Sequence, residues 1–568
     1  MEKFLIKKPK STTVEQPSGS VDVNQNENYK RKFRAEWLQS FDWLQNKDGS
    51  AFCVACEKAI DNHNAHLKVH EKTATHIRNC ESRKKQHTLE MFYDPEQEKQ
   101  HITVRNAEFA LVMFCITHNL PFLIMEYLPA LLVECCPDSS IAKLIKCGRT
   151  KSTQIAEIIG KKANDRVFET LRNTKFSLIA DETTDISTTK SLVLVARFVD
   201  SARVVQDRFL ALLEVTKSDA VSIFQLIKQF FNTNNIPLKN IIGLATDGAN
   251  VMAGDAGGVK ALLNKETNFF FMTCTCHSLH LCTSYASRHL PKSIDFLCRN
   301  IYNYFSHSSK RINDLKEFQE YCSVEPHKIL GVSQTRWLSL EGVVARLIEQ
   351  WDSLKLYFIS CFYEVNGIRP AQLAEEMCAN TKCYFLFLTY ILPIINNLNK
   401  DFQSESSRLP YLYSNMKSIY LLIINNFVKH DVCIKETNID FRSESNQKPL
   451  RDIFVGTKAE IFMTKHLSED DIIEVKRNIL SFYVELLNQI NNRFDFNRED
   501  IKMLQIITPA KVLSQEDLQI LPLILTFSEL VDCDPDQITS QWNLLRLSDV
   551  NLSADMDIDT FWSKLCRG

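Results

Sequence analysis

The spacing of apolar residues changes several times along the chain, and each change marks a different kind of element. Residues 1–34 are dominated by Ser, Thr, Asn, Gln and Lys without apolar period, which predicts a disordered basic tail. Residues 35–90 hold a short cluster of aromatics, cysteines and histidines, too small for a large core. From 95 to 175 apolar residues recur at helical spacing, as in AEFALVMFCITHNLPFLIMEYLPALLVECC, with a break near Pro121. At 176 the period shortens. FSLIADETTDIS opens with the apolar run Leu178–Ala180, and SLVLVARFVD and RFLALLEV follow as β-rich runs. DAVSIFQLIKQFFNTNNI reads as an amphipathic helix closed by Pro237. NIIGLATDG then reads as a strand entering a glycine turn, and FFFMTCTCH as another strand. Helical spacing returns from 291 to about 530, and 531–568 is acidic and thinly apolar. No internal repeat is visible.

Length and composition narrow this picture only a little. A chain of 568 residues has room for about three or four domains and for sizeable cores. Only 14 glycines and 16 prolines favour long helices over a turn-rich β protein. A net charge of -2 gives no global pull toward nucleic acid, so any such binding must come from local basic patches. The 18 cysteines are scattered, and MEKFLIKKPK has neither the apolar core nor the cleavage site of a signal peptide. Reduced thiols in the cytosol or nucleus follow. KKPK and RKFR suit nuclear import, or equally a solvated tail. The greasiest stretch, YLYSNMKSIYLLIINNFV, is interrupted by polar residues and reads as a core helix, so no membrane partner is expected.

Two stretches carry candidate chemistry. In the first, Cys53 and Cys56 are spaced C-x2-C, and His70 and His76 are spaced H-x5-H after a gap of 13 residues. A two-residue gap lets both thiolates reach one tetrahedral ion, and helical spacing delivers both imidazoles from the other side. Zn²⁺ is the expected ion and would supply folding energy that so small a core lacks. His63, His66 and Cys80 lie close enough to leave the ligand set ambiguous, and a chance cluster in a polar loop is the plainer alternative. Lys68, Lys72, Arg78, Arg83, Lys84 and Lys85 follow the knuckle and suit phosphate contacts. A solvated helix face or a protein-binding finger would use the same residues.

In the second stretch, Asp181, Glu182 and Asp185 end an apolar run, and Asp247 follows the fourth predicted strand. In a ribonuclease H-like fold the first and fourth strands are neighbours, and carboxylates at their ends can hold two Mg²⁺ ions for phosphodiester chemistry. Aspartates that merely end strands in water are the competing reading.

FSLIADETTDISTTKSLVLVARFVD, GLATDGANVMAGDAGGV, CTCHSLHL and QTRWLSL occur in this order and resemble the hAT superfamily of transposases and its domesticated copies. The resemblance covers roughly residues 35–560. The W-x5-W, C-x2-C and H-E-K-x3-H pattern in front resembles the BED-type and TTF-type zinc fingers of transposases. The resemblance implies α/β plus all-α architecture: a ribonuclease H-like core over 176–290, a helical insertion and return over 291–530, and a helical DNA-binding or dimerisation segment over 95–175. It implies Asp181 and Asp247 as the first two catalytic acids and Cys274 and His277 as the C-x2-H motif. Cys276, His280 and Cys282 leave a second zinc site open there, but the run from a buried strand into a helix suits thiols in a packed core. Arg336 and Trp337 match an Arg-Trp pair where the Trp stacks near distorted DNA; a core Trp beside a surface Arg is the alternative.

The third acid of that family is a Glu after the insertion, in a Ser-Glu-Arg…Phe-Ser context. No such context occurs; Glu485 and Glu529 are acids in the right half without it. The family's C-terminal dimerisation block is also expected to be missing. The combined expectation is a nuclear, DNA-binding, transposase-derived protein without transposition activity, holding Zn²⁺ in its finger and Mg²⁺ weakly if at all. Self-association and chromatin or regulatory proteins remain further partners. An active metal-dependent transposase and a protein-interaction module are the competing readings.

Overall fold

A computed structural model describes residues 31–85, 95–184, 189–332, 340–361, 370–435, 439–530, 534–548 and 551–566. The expected tail before residue 31, Asp185, Arg336 and Trp337 lie outside the described residues. The chain divides into two compact units, 1–159 and 160–568.

After a short helix, Trp37–Ser40, the first unit forms an antiparallel three-stranded sheet: β1 (Leu44–Lys47), β2 (Ser50–Cys53) and β3 (Lys58–Ile60). The β1–β2 turn is Asp48-Gly49, both at positive φ (52° and 76°), a conformation Gly accepts freely and Asp tolerates. Asn46 Oδ1 accepts from Gly49 N at 3.1 Å. Asn62 braces the hairpin by donating to the Gly49 carbonyl and accepting from Ala51 N, both at 2.8 Å. Two helices follow, α1 (Asn64–Glu71) and α2 (Ala74–Lys85). Trp37, Phe41, Leu44, Ala51 and Leu67 form the small buried core. Further on, α3 (Pro95–Thr117) and the start of α4 (Arg149–Asn173) belong to a separate cluster around Val112, Cys115, Met125, Cys147 and Ile155. Its buried carboxylate, Glu108 at 2% exposure, is matched by Lys151 Nζ at 2.5 Å and the Lys146 N–H at 3.0 Å. A buried charge needs such partners.

The second unit is organised by a five-stranded sheet. Its strands are β4 (Phe176–Thr184), β5 (Lys190–Val199), β6 (Val205–Glu214), β7 (Ile241–Thr246) and β8 (Phe270–Thr273), in the order β6-β5-β4-β7-β8. β4 is central. It pairs antiparallel with β5 and parallel with β7. Phe176, Leu178 and Ala180 of β4 alternate onto the buried face with Leu192, Leu194 and Ala196 of β5. Helix α5 (Ala220–Thr233) covers that face with Ile223, Phe224, Ile227 and Phe231, spaced as one helical stripe. Its first turn is capped by Asp219, whose Oδ1 accepts from Ser222 N at 2.9 Å. Gly243 of β7 lies against Ser177 of β4, where any side chain would collide with the Ser177 hydroxyl. Glycine there lets the two strands approach.

A helical region fills most of the remainder. α6 (Thr275–Ser287) leaves β8 and packs along α8 (Glu469–Arg493), with α7 (Ala379–Phe402) nearby. Tyr384 to Leu388 are five consecutive buried residues of α7, as expected for a helix surrounded by others. The helix Leu412–Phe427 also buries Met416, Tyr420, Ile423, Ile424 and Phe427, so YLYSNMKSIYLLIINNFV is core. Among the described residues no single helix is long and apolar enough to cross a membrane. The bent pair Pro370–Glu376 and α7 reaches that length and composition only together.

The acidic C-terminal stretch is tied into this unit. α9 (Ile558–Leu565) buries Phe561 completely, beside Trp542 and Ile524. Arg197 of β5 reaches Asp207 of β6 at 2.5 Å and Asp559 of α9 at 3.1 Å, while Asp559 also accepts from Ser407 N at 2.9 Å. One guanidinium thus fastens sheet, loop and terminal helix. Arg197→Ala is expected to speed amide exchange in Ile558–Leu565 selectively, leaving β4 and β5 protected. Mass-spectrometric hydrogen exchange reads this directly, and unchanged protection of α9 would refute the role.

Candidate metal centre and acidic pair

Cys53 closes β2, and the chain turns sharply behind it, with Glu57 at φ 53°. The Cys56 N–H donates to Cys53 Sγ at 3.3 Å, the local bond of a tight cysteine knuckle. α1 delivers His70 and α2 delivers His76. One ligand atom from each of Cys53, Cys56, His70 and His76 falls within 4.8 Å of all the others. His76 Nδ1 is 3.3 Å from Cys53 Sγ and 3.6 Å from Cys56 Sγ. His70 Nε2 is buried without a hydrogen-bond partner, an arrangement that normally costs stability. A cation at the centre would use that lone pair.

The donor set decides the kind of ion. Two thiolates and two imidazoles at bond lengths of about 2.3 and 2.0 Å place ligand atoms roughly 3.3–3.8 Å apart around a tetrahedral Zn²⁺. The 3.3 and 3.6 Å separations of His76 Nδ1 from the two sulfurs fit this, and four protein ligands would leave no open position for catalysis. When bound, the ion would cross-link β2 to both helices and supply folding free energy. Trp43 packs on both imidazoles and would shield the ion: its ring centroid is 4.5 Å from that of His76 and 5.2 Å from that of His70. Trp43 Nε1 donates to Glu71 Oε1 at 3.4 Å. The W-x5-W pattern placed Trp43 upstream of the knuckle, but its contact with both imidazoles was not legible in the sequence.

Burial pushes the Cys53 thiol up and both imidazoles down from their ordinary values; His76 and Lys58 add to the shift at His70. The histidines are therefore held in their neutral, ligating form, while Cys53 must shed a proton to bind metal.

The cluster that could hold an ion takes in Cys53, Cys56, His70 and His76 and leaves out the other nearby candidates. His63 caps α1, accepting from Ala65 N at 3.3 Å. His66 is exposed and lies 3.3 Å from Asp61. Cys80 stands on the far side of His76, with Sγ 3.3 Å from Nε2. Of the basic residues, Lys68, Lys72 and Arg78 are exposed. Arg83 is exposed too, yet its guanidinium donates to the Val54 carbonyl and so braces the knuckle. Lys84 and Lys85 end α2. Over Asn64–Lys85 six Lys and Arg oppose two acids, Glu71 and Glu81, so this face is basic although the whole chain is not.

The acidic residues occupy one end of the large sheet. Ile179 of β4 aligns with Ala245 of β7 in parallel register, and Asp181 and Asp247 each lie two residues further on. Extending that register past the end of β7 puts Asp247, the first residue after the strand, level with Asp181 of β4. Asp181 is exposed and Asp247 half-buried, its Oδ1 accepting from Ala249 N at 3.2 Å. The Cys274 N–H donates to the Thr246 carbonyl at 2.7 Å, so the C-x2-H stretch begins beside Asp247.

Here the expectation of packed thiols needs correction. Cys282 is buried, but Cys274 is exposed and Cys276 only half-buried. The reason is geometric: Cys274 is the non-helical residue between β8 and α6. Its thiol is drawn down to about 6 by a hydrogen bond with Cys276 and by the His277 and Cys276 N–H groups at the helix start. Cys276 is pushed up in return, while its Sγ reaches the Asn399 carbonyl at 3.6 Å. His277 is exposed.

Neither acid from the second half joins the pair. Glu529 accepts from Asn268 Nδ2 at 3.3 Å, just before β8 begins. Because β7 and β8 run parallel, that is the sheet end opposite Asp247. Glu485 on α8 accepts from Gln489 and lies near Cys282. Among the described residues, the Cys53, Cys56, His70 and His76 set is the one cluster of three or more potential ligands.

Residues 136–258 match the profile of a family described as DUF4371, ZMYM1/FAM200, RNase-like domain. The matched segment runs through α4, β4, β5, β6, α5 and β7 and includes both Asp181 and Asp247. The chain is thus similar to that family over an RNase-like domain, and the two acids fall inside the similarity.

The full chain is expected to take up one zinc, measurable by elemental analysis, and Cys53→Ser or His70→Ala is expected to abolish uptake. Zinc affinity should fall as pH is lowered, since the proton on Cys53 competes with the metal. The imidazoles should begin to compete only below the ordinary histidine range. Chelator titrations at several pH values test the order; a loss of affinity set by histidine protonation alone would contradict it.

Proposed function

We propose that this chain is a transposase-derived nuclear protein that binds DNA through a zinc-held finger, with its RNase-like domain retained as a scaffold. The observation that carries the reading is the convergence of Cys53, Cys56, His70 and His76 beneath two helices rich in exposed cations. Phosphate contacts need such a patch, and the metal makes it rigid enough to dock. The finger is read as BED-like, and the sheet as a ribonuclease H-like core of the hAT kind. The strand order β6-β5-β4-β7-β8 and the level position of Asp181 and Asp247 support the latter. Two-metal chemistry needs ligands that fix both ions. With two level acids and no third beside them among the described residues, Mg²⁺ would be held weakly and strand transfer would fail.

A second reading, a finger that binds protein, is favoured by one observation. Val69 and Ile77 stand exposed on α1 and α2, at 66% and 48%. Apolar exposure on a finger suits a protein partner as well as a groove wall.

The test is fluorescence anisotropy of the full chain on duplex DNA across a salt series. Binding is expected to weaken steeply with salt and to vanish on chelation. Replacing Lys68, Lys72 and Arg78 together with Ala should lower the slope of log K against log salt by about 2–3. Absence of binding at low salt would favour the protein-binding reading. On terminal-repeat DNA with Mg²⁺ or Mn²⁺ no strand cleavage is expected; robust cleavage that Asp181→Asn abolishes would establish an active transposase instead.

A further inference from the structure

We propose that Cys80 is a positioning residue that selects which ring nitrogen of His76 meets the metal, an inference that rests on the zinc reading above. The His76 ring has sulfur at both nitrogens. Nδ1 faces Cys53 Sγ at 3.3 Å and Cys56 Sγ at 3.6 Å, whereas Nε2 faces Cys80 Sγ at 3.3 Å. The set of ligand atoms mutually within 4.8 Å includes His76 and leaves out Cys80. His76 therefore ligates through Nδ1. A neutral imidazole carries one N–H, so the Nε2 of a ring bound through Nδ1 must hold the proton. His76 is only 3% exposed, and a buried N–H without an acceptor is costly. Cys80 supplies that acceptor. It lies four residues after His76 on α2, the spacing that stacks two side chains on one helix face.

His70 does not share this arrangement. Its Nε2 is the buried atom without a partner, so the two histidines present opposite nitrogens to the centre. The asymmetry follows from where each helix places its ring: His70 is next to the end of α1 and His76 is in the first turn of α2. Asn79 Nδ2 adds a second outer contact, donating to Cys56 Sγ at 3.6 Å. α2 thus carries one ligand and two residues that steady ligands, consistent with how outer contacts orient metal ligands generally.

The experiment compares the full-length wild type with Cys80→Val and Cys80→Ser. Zinc affinity is measured by competition with a chromophoric chelator, and cobalt(II) substitution reports the number of thiolate ligands. Cys80→Val keeps the shape and removes the acceptor; it is expected to weaken zinc about 10-fold. Cys80→Ser keeps an acceptor and should stay close to wild type. The thiolate-to-cobalt absorption should be equal in all three. Equal affinity for wild type and Cys80→Val would overturn the inference. So would loss of one thiolate's share of the absorption, which would make Cys80 a ligand. Long-range ¹H–¹⁵N correlation on the zinc-loaded wild type gives a readout independent of any variant's folding: a proton on Nε2 of His76 is expected, and a proton on Nδ1 overturns the proposal. A wild type that takes up no metal would overturn the zinc reading itself.

Discussion

Four side-chain atoms converging from one strand end and two short helices are the constraint on which the finger depends. Its apolar core is five buried residues, Trp37, Phe41, Leu44, Ala51 and Leu67, too few to offset the chain entropy of ordering some fifty residues. The hairpin is well made, with Asp48-Gly49 in its turn and Asn62 across its mouth, yet neither device fixes α1 and α2 against it. Ligation of Cys53, Cys56, His70 and His76 would do so, and the basic face exists as a face only when the helices are fixed.

The large sheet depends on a different constraint, the central position of β4. Antiparallel pairing with β5 extends the sheet on one side; parallel pairing with β7, allowed by the bare backbone of Gly243 against Ser177, extends it on the other. That pairing sets Asp181 level with Asp247 at one sheet end, and the pairing of β7 with β8 puts Cys274 beside Asp247. Glu529 is held at the other end. The geometry thus gathers Asp181, Asp247 and the start of the C-x2-H stretch at one end of the sheet, while Glu485 and Glu529 lie elsewhere, the arrangement on which the proposed scaffold role rests.

How much of this could be read from sequence follows from the range of each interaction. The convergence of Cys53, Cys56, His70 and His76 into a set that could hold a metal was legible because C-x2-C and H-x5-H are local spacings. The strands of the sheet were legible because burial on one face imposes alternation, as at Phe176, Leu178 and Ala180. The exposure of Cys274 was missed because an apolar run, FFFMT, precedes it, and composition does not show where a strand turns into a helix. Cys80 stayed ambiguous because its role turns on ring orientation, which spacing does not encode. The pairing of Arg197 with Asp559 spans 362 residues, and no local pattern announces a contact at that range. Asp185, Arg336 and Trp337 lie outside the described residues.

The most direct test of the central claim is X-ray absorption at the zinc edge on the intact protein. A closed site made by Cys53, Cys56, His70 and His76 predicts a first shell of two sulfurs near ~2.3 Å and two nitrogens near ~2.0 Å. A shell with three sulfurs, or one dominated by oxygen, would contradict it and with it the account of how the finger is held.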